Sequence, residues 1–431
     1  MFEVREKPDM VEKAMLIGFY FDRREENQAR SLLLELEELV DTLGIAVVGM
    51  ELVFVRDRHR GLICGTGKTE ELIELAQAKG CDCIVIDNEL SPMQQRNWEG
   101  QADITVIDRE EVILDIFASR ARTKEARLQV DLARMQYALP RMARMWNHLD
   151  REGGGGSAGS GSASRGMGEQ QIEIDRRLAR KRIKSVEREL ENVRQQRATQ
   201  RKDRQRQDTA TAAIVGYTNA GKSTLLNKLA DSDVMEADML FATLDPTTRR
   251  IDLADGQTLL LSDTVGFVRN LPHRLVESFK ATLEEAILAD FLVHVLDASS
   301  EEIHDHFKTT RKVLTELGAD DRPHLIVLNK IDQVQDPAVL NELRLEYPKA
   351  IETSALTGLG LDELRARFTS QLSHRVEKRN YRIPQSRGDL TGLIHREGKV
   401  LSTEYDGNDV LVHAVVPTSL AGTLETFEIT A

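Results

Sequence analysis

The sequence has very few cysteines and no long apolar run. Only three of its 431 residues are cysteine (Cys64, Cys81 and Cys83), and an odd number in so long a chain argues against a disulfide framework. No stretch of about 18 apolar residues occurs, so a membrane-spanning helix is not expected. The first residues, Met1 to Glu6, are too charged for a secretory signal peptide. These absences favour the reducing cytoplasm, with peripheral association at a membrane left open.

Motifs of several enzyme and metal-binding classes are also missing. Cys81 and Cys83 have no second cluster of Cys or His to complete a metal site, and they lie beside an apolar run, so packing in a strand is the expected role. The ten histidines are scattered, and neither H-E-x-x-H nor G-x-S-x-G occurs. Zinc-peptidase and serine-hydrolase chemistry is therefore not expected.

Charge is distributed unevenly along the chain. The whole protein has a formal net charge of −13. Residues 116–207 alone contain 22 Lys or Arg against 11 Asp or Glu, so a basic segment lies inside an otherwise acidic protein. Such segments commonly meet phosphate backbones, but the exposed faces of helices also carry charge of this kind. An RNA-binding arm and a merely solvated coiled coil both stay open.

The apolar pattern predicts a multidomain α/β protein, and a domain size of about 100–200 residues gives two to four domains. In residues 1–115 apolar runs alternate with amphipathic stretches, which predicts an N-terminal α/β domain with a mostly parallel sheet. Residues 209–376 repeat this alternation and predict a doubly wound α/β domain. The tail, residues 377–431, has two strand-like runs and predicts a small α+β domain.

Residues 116–208 are predicted to form a basic helical hairpin. Apolar residues recur at alternating spacings of four and three in two stripes, 128–146 and 179–193. A Gly/Ser-rich loop at 153–168 separates the stripes, so the two helices are expected to pair as an antiparallel coiled coil. Pro140 should kink the first arm or mark a break between two helices.

The clearest chemistry follows the β-branched run at 213–215. A complete G-x-x-x-x-G-K-S motif stands there on a predicted strand-to-helix turn: Gly216-Tyr217-Thr218-Asn219-Ala220-Gly221-Lys222-Ser223-Thr224. The glycines let the backbone approach phosphates, and the following helix points its positive dipole end at them. Lys222 is predicted to reach the β- and γ-phosphates, and Ser223 to hold Mg²⁺.

Three further motifs follow in the order that a GTP-binding domain requires. Asp263-Thr264-Val265-Gly266 offers a carboxylate for the magnesium shell and the Gly266 amide for the γ-phosphate. Asn329-Lys330-Ile331-Asp332 offers a carboxylate that accepts two hydrogen bonds from guanine, which adenine cannot donate. Ser354-Ala355-Leu356 would bring the Ala355 amide to guanine O6. The ordered set predicts a P-loop GTPase.

A second glycine-rich segment matches only the end of the first motif. It reads Gly65-Thr66-Gly67-Lys68-Thr69. The first glycine of a P-loop would stand at position 62, where the sequence has Leu62. We predict a turn here, before a helix at 69–78, rather than a second nucleotide site.

With these motifs in place, the chain resembles the HflX family, in the Obg-HflX group of translation-factor-type P-loop GTPases, over nearly its full length. Two marks are switch sequences, Phe241-Ala242-Thr243-Leu244-Asp245-Pro246-Thr247-Thr248-Arg249 and Asp263-Thr264-Val265-Gly266-Phe267. Three lie outside the GTPase domain: Leu128-Gln129-Val130, Leu139-Pro140-Arg141 and Arg165-Gly166-Met167-Gly168-Glu169. Met167 departs from the family, which commonly has proline there.

The resemblance implies a GTP hydrolase that binds the large ribosomal subunit and its rRNA and splits or rescues stalled ribosomes under stress. A monomer is expected, with GTP or GDP and Mg²⁺ as ligands. Nucleotide contacts are also implied for the first switch, with Thr243 closing on Mg²⁺: Phe241, Ala242, Thr243, Leu244 and Asp245. A ribosome-assembly GTPase, and a signalling switch that binds a protein effector through the hairpin, stay open as alternatives.

Two positions bear on hydrolysis. Phe267 has an apolar side chain that cannot orient water as glutamine does, so no catalytic residue is assigned and slow intrinsic hydrolysis is expected. Asn219 stands where potassium-activated relatives hold K⁺ beside the phosphates. The alternative is that Asn219 only shapes the turn.

The densest basic cluster lies on the second helix of the predicted hairpin. It consists of Arg176, Arg177, Arg180, Lys181, Arg182 and Lys184. Cationic groups on one helix suit rRNA phosphates, because binding releases the counterions that the phosphates hold. We expect this cluster to contact RNA.

Overall fold

The computed structural model describes residues 11–144, 163–206, 209–231, 240–254, 256–272, 275 and 283–429. These residues belong to two compact units. The first unit draws on residues 1–199, 238–245 and 268–282, and the second on 200–237, 246–267 and 283–431. Two short segments of the predicted 209–376 domain therefore fold with the first unit. The domain boundaries at 115, 208 and 376 stay predictions.

The first unit contains a parallel four-stranded sheet with the order β2-β1-β3-β4. Its elements alternate as predicted: β1 (Lys13–Tyr20), α1 (Glu26–Thr42), β2 (Ala46–Phe54), α2 (Thr66–Ala78), β3 (Cys83–Ile86), α3 (Pro92–Ala102), β4 (Thr105–Asp108) and α4 (Arg109–Arg120). All four residues of β3 are buried, because helices cover both faces of such a sheet. The predicted α/β class is confirmed.

The same unit holds α5 (Lys124–Ala138) and most of α6 (Ala163–Arg206), the two helices of the predicted hairpin; residues 200–206 of α6 belong to the second unit. Leu128 and Leu132 pack with Val186 and Leu190, so the apolar seam expected from the spacing is present. A 3-10 turn at Leu139–Arg144 follows α5, which confirms the break at Pro140.

One expectation for the hairpin was wrong. The helix α6 begins at Ala163, so residues 163–168 are helical and not part of the Gly/Ser-rich loop. Helix α6 can extend through these residues because adding residues to an existing helix does not require a new nucleation step. Each glycine costs about 1 kcal/mol, which is less than the cost of starting a new helix. Residues 153–162 and Trp146 lie outside the described residues.

The second unit contains a six-stranded sheet with the order β10-β9-β8-β5-β7-β6. Its elements are β5 (Ala210–Gly216), α7 (Lys222–Leu229), β6 (Thr247–Asp252), β7 (Thr258–Asp263), α8 (Glu284–Leu288), β8 (Phe291–Asp297), α9 (Ile303–Glu316), β9 (His324–Asn329), α10 (Pro337–Glu346), β10 (Ile351–Glu352) and α11 (Leu361–Gln371). The edge strand β6 is antiparallel to β7 and the other pairs are parallel. Sequence reasoning missed β6, because its polar residues form no apolar run.

A smaller antiparallel sheet with the order β11-β13-β12 completes the second unit. Its elements are β11 (Val376–Pro384), α12 (Gly388–Glu397), β12 (Lys399–Asp406), β13 (Asp409–Pro417) and α13 (Thr418–Leu424). The α+β class of this tail is confirmed. The strand β11 was missed, because most of its residues are polar and only Tyr381 and Ile383 are fully buried. None of the described helices is both long and apolar enough to cross a membrane.

Candidate functional site

Four neighbouring strands of the second unit end in a glycine or a polar residue. Gly216 ends β5, Asp263 ends β7, Asp297 ends β8 and Asn329 ends β9. These strands run parallel, so their carboxyl ends share one edge of the sheet. In open α/β sheets this edge is the usual place for a ligand.

The loop after β5 has a backbone that few side chains tolerate. Gly221 has a φ of +84°, and a Cβ there would stand 2.3 Å from Asn329 Nδ2. A Cβ on Gly216 would stand 2.3 Å from the carbonyl oxygen of Val295. Asn219 adopts a φ of 57°, a left-handed conformation that asparagine accepts more readily than most residues. Glycine at 216 and 221 is therefore a steric requirement.

Two side chains at the start of α7 face oxygen atoms of this edge. Lys222 is buried, and its Nζ donates to the carbonyl oxygen of Tyr217 at 2.7 Å. Ser223 Oγ donates to Asp263 Oδ2 at 2.5 Å. A hydroxyl and a carboxylate side by side are hard oxygen donors of the kind that Mg²⁺ prefers, so the residues present fit this ion.

The segment after β7 is bound to the loop after β5 by backbone hydrogen bonds. Thr218 N donates to Phe267 O at 2.7 Å, and Phe267 N donates to Gly216 O at 3.2 Å. The buried Thr264 donates its hydroxyl to the carbonyl oxygen of Ile214 at 2.7 Å. The two predicted phosphate-binding motifs therefore lie together.

Gly266 lies close to both the loop and the lysine. A Cβ on Gly266 would stand 2.7 Å from Thr218 Cα and 2.9 Å from Lys222 Nζ. Its neighbour Val265 is buried. This position therefore accepts no side chain, and its backbone lies beside the cationic end of Lys222.

Asn329 connects the two ends of the predicted nucleotide site. Its Nδ2 donates to Ala220 O at 2.9 Å, and its Oδ1 accepts from Ala355 N at 3.0 Å. Thr353 Oγ1 also donates to Asn329 Oδ1, at 3.3 Å. A single buried amide thus holds the phosphate-type loop and the segment at Ser354-Ala355 in a fixed relation.

The predicted guanine-selecting residues lie next to Asn329. Lys330 has a φ of 60°, and its Nζ pairs with Asp297 Oδ2 at 2.9 Å. Asp332 is exposed in the 3-10 turn Ile331–Gln333. Ser354 is buried, whereas Leu356 is 70 % exposed. Sequence reasoning missed Asp297, although an aspartate directly after an apolar run was the same signal that had identified Asp263.

A buried histidine lies in the same sheet. Burial, together with the positive charges of neighbouring His324, Arg311 and Lys222, lowers the pKa of His294 from 6.5 to about 3. Its ring stacks on Phe307, with centroids 5.0 Å apart. His294 is therefore neutral at physiological pH and serves as a packing residue.

Residues 241–245 of the first switch fold with the first unit, and residues 246–249 belong to the second. The ring of Phe241 meets Phe117 edge to face at a centroid distance of 4.7 Å. The Asp245 carboxylate accepts from the backbone N–H groups of Arg122 at 2.9 Å and Thr123 at 3.1 Å, just before α5. Leu244 is buried, Ala242 is exposed and Thr243 is half-buried. Nucleotide contacts from this segment stay a prediction.

The predicted RNA-binding residues lie along α6 in the first unit. Arg177, Arg180, Lys181, Arg182 and Lys184 are exposed, and Arg176 is half-buried. Arg180 Nη1 stands 3.6 Å from Glu173 Oε1, an exposed pair of little energetic weight. The cluster therefore presents its charge to solvent.

The three cysteines are buried with free thiols in the first unit, and Cys83 lies in β3. Burial raises the pKa of the Cys64 and Cys81 thiols. Across the described ranges no group of three or more His, Cys, Asp or Glu side chains is arranged to hold a metal ion.

Three family models match the sequence. Residues 30–118 match the model described as "GTP-binding GTPase N-terminal", and residues 120–204 match "GTP-binding GTPase Middle Region". Residues 211–330 match "50S ribosome-binding GTPase". The three matches together cover most of the chain in the order expected from the motifs.

Curated relatives match over almost the whole length. The chain is 57 % identical over 433 residues to the GTPase HflX of Akkermansia muciniphila, covering 99 % of both proteins. It is 41 % identical over 390 residues to the GTPase HflX of Escherichia coli, covering 90 % of this chain and 89 % of the relative. A GDP complex of a GTP-binding protein from Sulfolobus solfataricus is 23 % identical, covers 84 % of this chain and 99 % of its own, and has a TM-score of 0.42.

Proposed function

The chain belongs to the HflX family of GTPases, and from that premise we propose that it binds the large ribosomal subunit in the cytoplasm and uses GTP hydrolysis to split or rescue stalled ribosomes. GTP hydrolysis itself follows from the family. The observation that carries the proposal is the convergence of Lys222, Ser223, Asp263 and Asn329 on one edge of a sheet. The ribosomal partner is supported by the description of the model that residues 211–330 match.

We assign the phosphate end of the site to five residues. Lys222 would exchange its bond to Tyr217 O for oxygens of the β- and γ-phosphates. Ser223 and Thr243 would hold Mg²⁺, with Asp263 orienting the metal's water shell. Bound Mg²⁺ neutralises charge on the phosphates as the bond to the leaving group lengthens. The Gly266 amide would donate to the γ-phosphate and register whether it is present.

Hydrolysis in the isolated protein is proposed to be slow. Phe267, directly after Gly266, is buried and has no group that orients water. The ribosome is the proposed activator, acting by ordering the switch segments. Single-turnover hydrolysis should accelerate at least about tenfold when large subunits are added, as expected when ordering lowers a barrier by about 1.4 kcal/mol. A rate that is already fast without ribosomes contradicts the proposal.

Guanine selection is proposed for Asp332, with the Ala355 amide at guanine O6. Asp332→Asn should lower kcat/KM for GTP by about 100-fold and raise it for XTP, because the amide donates where xanthine has a carbonyl. Asp336→Asn, a helix-capping residue close by in sequence, is the matched control and should leave the GTP preference unchanged. Retention of the GTP preference in Asp332→Asn would show that guanine is selected elsewhere.

The exposed cationic residues of α6 are proposed to contact rRNA. Replacing Arg176, Arg177, Arg180 and Lys181 with alanine should weaken binding to large subunits and flatten its salt dependence, because fewer counterions are released. A variant with alanine at Lys308, Lys312, Arg322 and Lys349, four exposed cations of the second unit, controls for net charge. GTP affinity should stay unchanged in both.

A ribosome-splitting role, a ribosome-assembly role and a signalling role predict different results when the purified protein is mixed with ribosomes. Co-sedimentation with large subunits in the presence of a non-hydrolysable GTP analogue supports a ribosomal role, whereas its absence supports a signalling switch. If binding occurs, gradient profiles of subunits and whole ribosomes with and without the protein distinguish splitting from assembly. Equal affinity of the parent and the α6 variant across a salt titration would assign the hairpin a spacer role.

A monovalent cation at Asn219 stays a prediction. The left-handed φ of 57° at this exposed residue is also what a simple turn requires of asparagine. K⁺ held there would place positive charge beside the phosphates in the transition state. Equal hydrolysis rates in KCl and NaCl, measured with ribosomes present, would leave Asn219 with the turn role alone.

A further inference from the structure

A histidine of the second unit stacks on the tyrosine of the loop after β5. The rings of His306 and Tyr217 are nearly parallel, with an interplanar angle of 11° and centroids 3.7 Å apart. Tyr217 is buried, and the His306 side chain is only 16 % exposed. The stack is therefore a close and largely desolvated contact between the first turn of α9 and the loop that leads to Lys222.

The helix side of this contact is firmly anchored. Ile303, at the start of α9, is buried, and the backbone N–H of His306 donates to Glu302 O at 3.0 Å. The next residue, Phe307, stacks on the buried His294 of β8 with centroids 5.0 Å apart. Because the histidine is carried by a helix that is packed on the sheet, its ring provides a fixed surface for the loop.

The loop side of the contact bears on the position of Lys222. Residues 216–221 read Gly-Tyr-Thr-Asn-Ala-Gly, so Tyr217 has the only large side chain of this loop. The carbonyl oxygen of Tyr217 accepts from Lys222 Nζ at 2.7 Å and from Ala220 N at 3.3 Å. The stacked ring and this oxygen belong to one residue, so a restraint on the ring also restrains the oxygen to which the lysine is bound.

The peptide that links Tyr217 to Thr218 is also bound to the second switch. Thr218 N donates to Phe267 O at 2.7 Å, while the carbonyl oxygen of the same peptide accepts from Lys222. Phe267 directly follows Gly266, the proposed γ-phosphate contact, so this bond depends on the state of the switch. The histidine stack comes instead from a helix outside both switch sequences, and it restrains the peptide independently of the switch.

We propose that His306 is a positioning residue for nucleotide binding, acting through Tyr217 to hold the loop and Lys222 in place before the phosphates bind. A loop that is already ordered loses less conformational entropy when its ligand arrives, so affinity rises without any new contact to the ligand. The inference rests on the proposed assignment of this loop to the phosphates.

The test measures the Kd of the full chain for a fluorescent GDP analogue and its single-turnover hydrolysis at saturating GTP. His306→Ala should raise the Kd about fivefold, within the range of about two- to tenfold expected for loss of an aromatic stack. The hydrolysis rate should stay within about twofold, because lost ordering weakens binding of the ground state and of the transition state equally. His306→Phe keeps a ring on Tyr217 but loses the approach of Nε2 to Glu302 Oε2 at 3.7 Å, and it should restore the Kd to within about twofold of the parent.

A matched control lies two residues earlier on the same helix. His304 stacks on Tyr347 with centroids 6.4 Å apart, and its Nδ1 lies 3.1 Å from Glu346 Oε1, so these partners lie at the end of α10. His304→Ala should also lower the temperature of thermal unfolding, but it should leave the Kd for the GDP analogue within about twofold of the parent. An unchanged Kd in His306→Ala, an equal rise of the Kd in His304→Ala, or failure of His306→Phe to restore affinity overturns the proposal.

Lys222→Ala distinguishes failure of this inference from failure of the site assignment. It removes the group that Tyr217 is proposed to position, so it should raise the Kd about 100-fold or more. His306→Ala should add little to that loss, because the two changes act through one interaction. If Lys222→Ala binds the analogue as tightly as the parent, the phosphate assignment is wrong and the inference falls with it. If Lys222→Ala loses affinity and His306→Ala does not, only the positioning role of His306 is wrong.

Discussion

Each of the two units has a Gly-Lys-Thr or Gly-Lys-Ser sequence at the start of a helix, but the two backbones differ. In the first unit Gly65 has an ordinary extended conformation, and a Cβ on Gly67 would meet nothing within 4 Å. Lys68 is half-buried there and donates to Glu71 Oε1 at 2.7 Å. In the second unit the corresponding lysine, Lys222, is buried, and Gly221 has a left-handed φ.

The two segments also differ in what precedes them. Residues 59–63 form a short turn closed by a bridge between His59 and Ile63, so no strand leads into the first segment. The helix α2 already begins at Thr66, so the predicted turn at 66–69 is in fact helical. A phosphate cradle needs backbone N–H groups that no helix uses, and α2 uses the amide of Thr69 by donating it to Gly65 O. The comparison shows that a strained loop after a strand, rather than the letters Gly-Lys-Thr, marks the site.

The largest effect is expected from the two lysines. Lys222→Ala should weaken GDP binding by about 100-fold or more, because a buried cation opposite the phosphates is lost. Lys68→Ala should leave GDP binding within about twofold of the parent, since only a solvent-accessible i,i+3 pair with Glu71 is removed. Titration with a fluorescent GDP analogue measures both. Comparable losses in the two variants would mean that the first segment also binds nucleotide.

The two glycines sharpen the comparison. Gly221→Ala should lower GDP affinity at least about tenfold, because a φ of +84° and a 2.3 Å approach to Asn329 Nδ2 both oppose a Cβ. Gly67→Ala should instead stabilise the chain by about 0.5–1 kcal/mol, because alanine is the better residue inside a helix. Denaturant unfolding with and without GDP measures these changes. Destabilisation by Gly67→Ala would contradict the relaxed backbone of the first segment.

A third comparison concerns one titratable group in each unit, Glu111 and His294. In the first unit, desolvation, together with the charges of Asp108 and Asp115, raises the pKa of Glu111 from 4.5 to about 7. Glu111 Oε2 accepts from Tyr137 Oη at 3.1 Å and from Gln95 Nε2 at 3.2 Å. The folded state therefore keeps a proton that the unfolded chain has released, and stability falls as pH rises from about 4.5 through about 7.

Glu111→Gln should remove this loss. Relative to the parent, the variant should gain on the order of 1–3 kcal/mol between pH 5 and pH 8. Trp98 is fully buried in the first unit, so its fluorescence follows unfolding of that unit. Glu70→Gln, exposed on α2, is the control. A pH dependence identical to that of the parent would show that Glu111 does not titrate in this range.

The contribution of His294 in the second unit to stability changes with pH in the opposite direction. Its pKa is lowered from 6.5 to about 3, so its contribution to stability is present above about pH 6.5 and is lost as pH falls towards 3. Glu111 therefore lowers the stability of the first unit as pH rises, and His294 lowers the stability of the second unit as pH falls. Loss of secondary structure in the second unit before the tryptophan signal changes, on acidification, is the expected order.

Much of the fold was accessible from sequence because its signals are local. The strands β5, β7, β8 and β9 are apolar runs, and each is followed within a few residues by the side chain or glycine that the site needs. The strands β6 and β11 were missed because they lack an apolar run. A half-exposed edge strand buries too few residues to leave an apolar run, so only its partner strand defines it.

The sequence by itself determined that a strand is followed by a glycine-rich loop, a lysine and a helix. These elements are contiguous in the chain, and the spacing of the motif residues reflects the geometry of a single strand-to-helix turn. It also determined the apolar seam of the hairpin, and it predicted the guanine motif. Only the tertiary structure decided that residues 238–245, which include part of the first switch, and residues 268–282, which follow the second, fold with the first unit, where Asp245 meets Thr123 and Arg269 meets Glu35. Glu35 and Arg269 are 234 positions apart, and no local pattern relates them. They form an ion pair because both side chains are buried at the same place in the first unit.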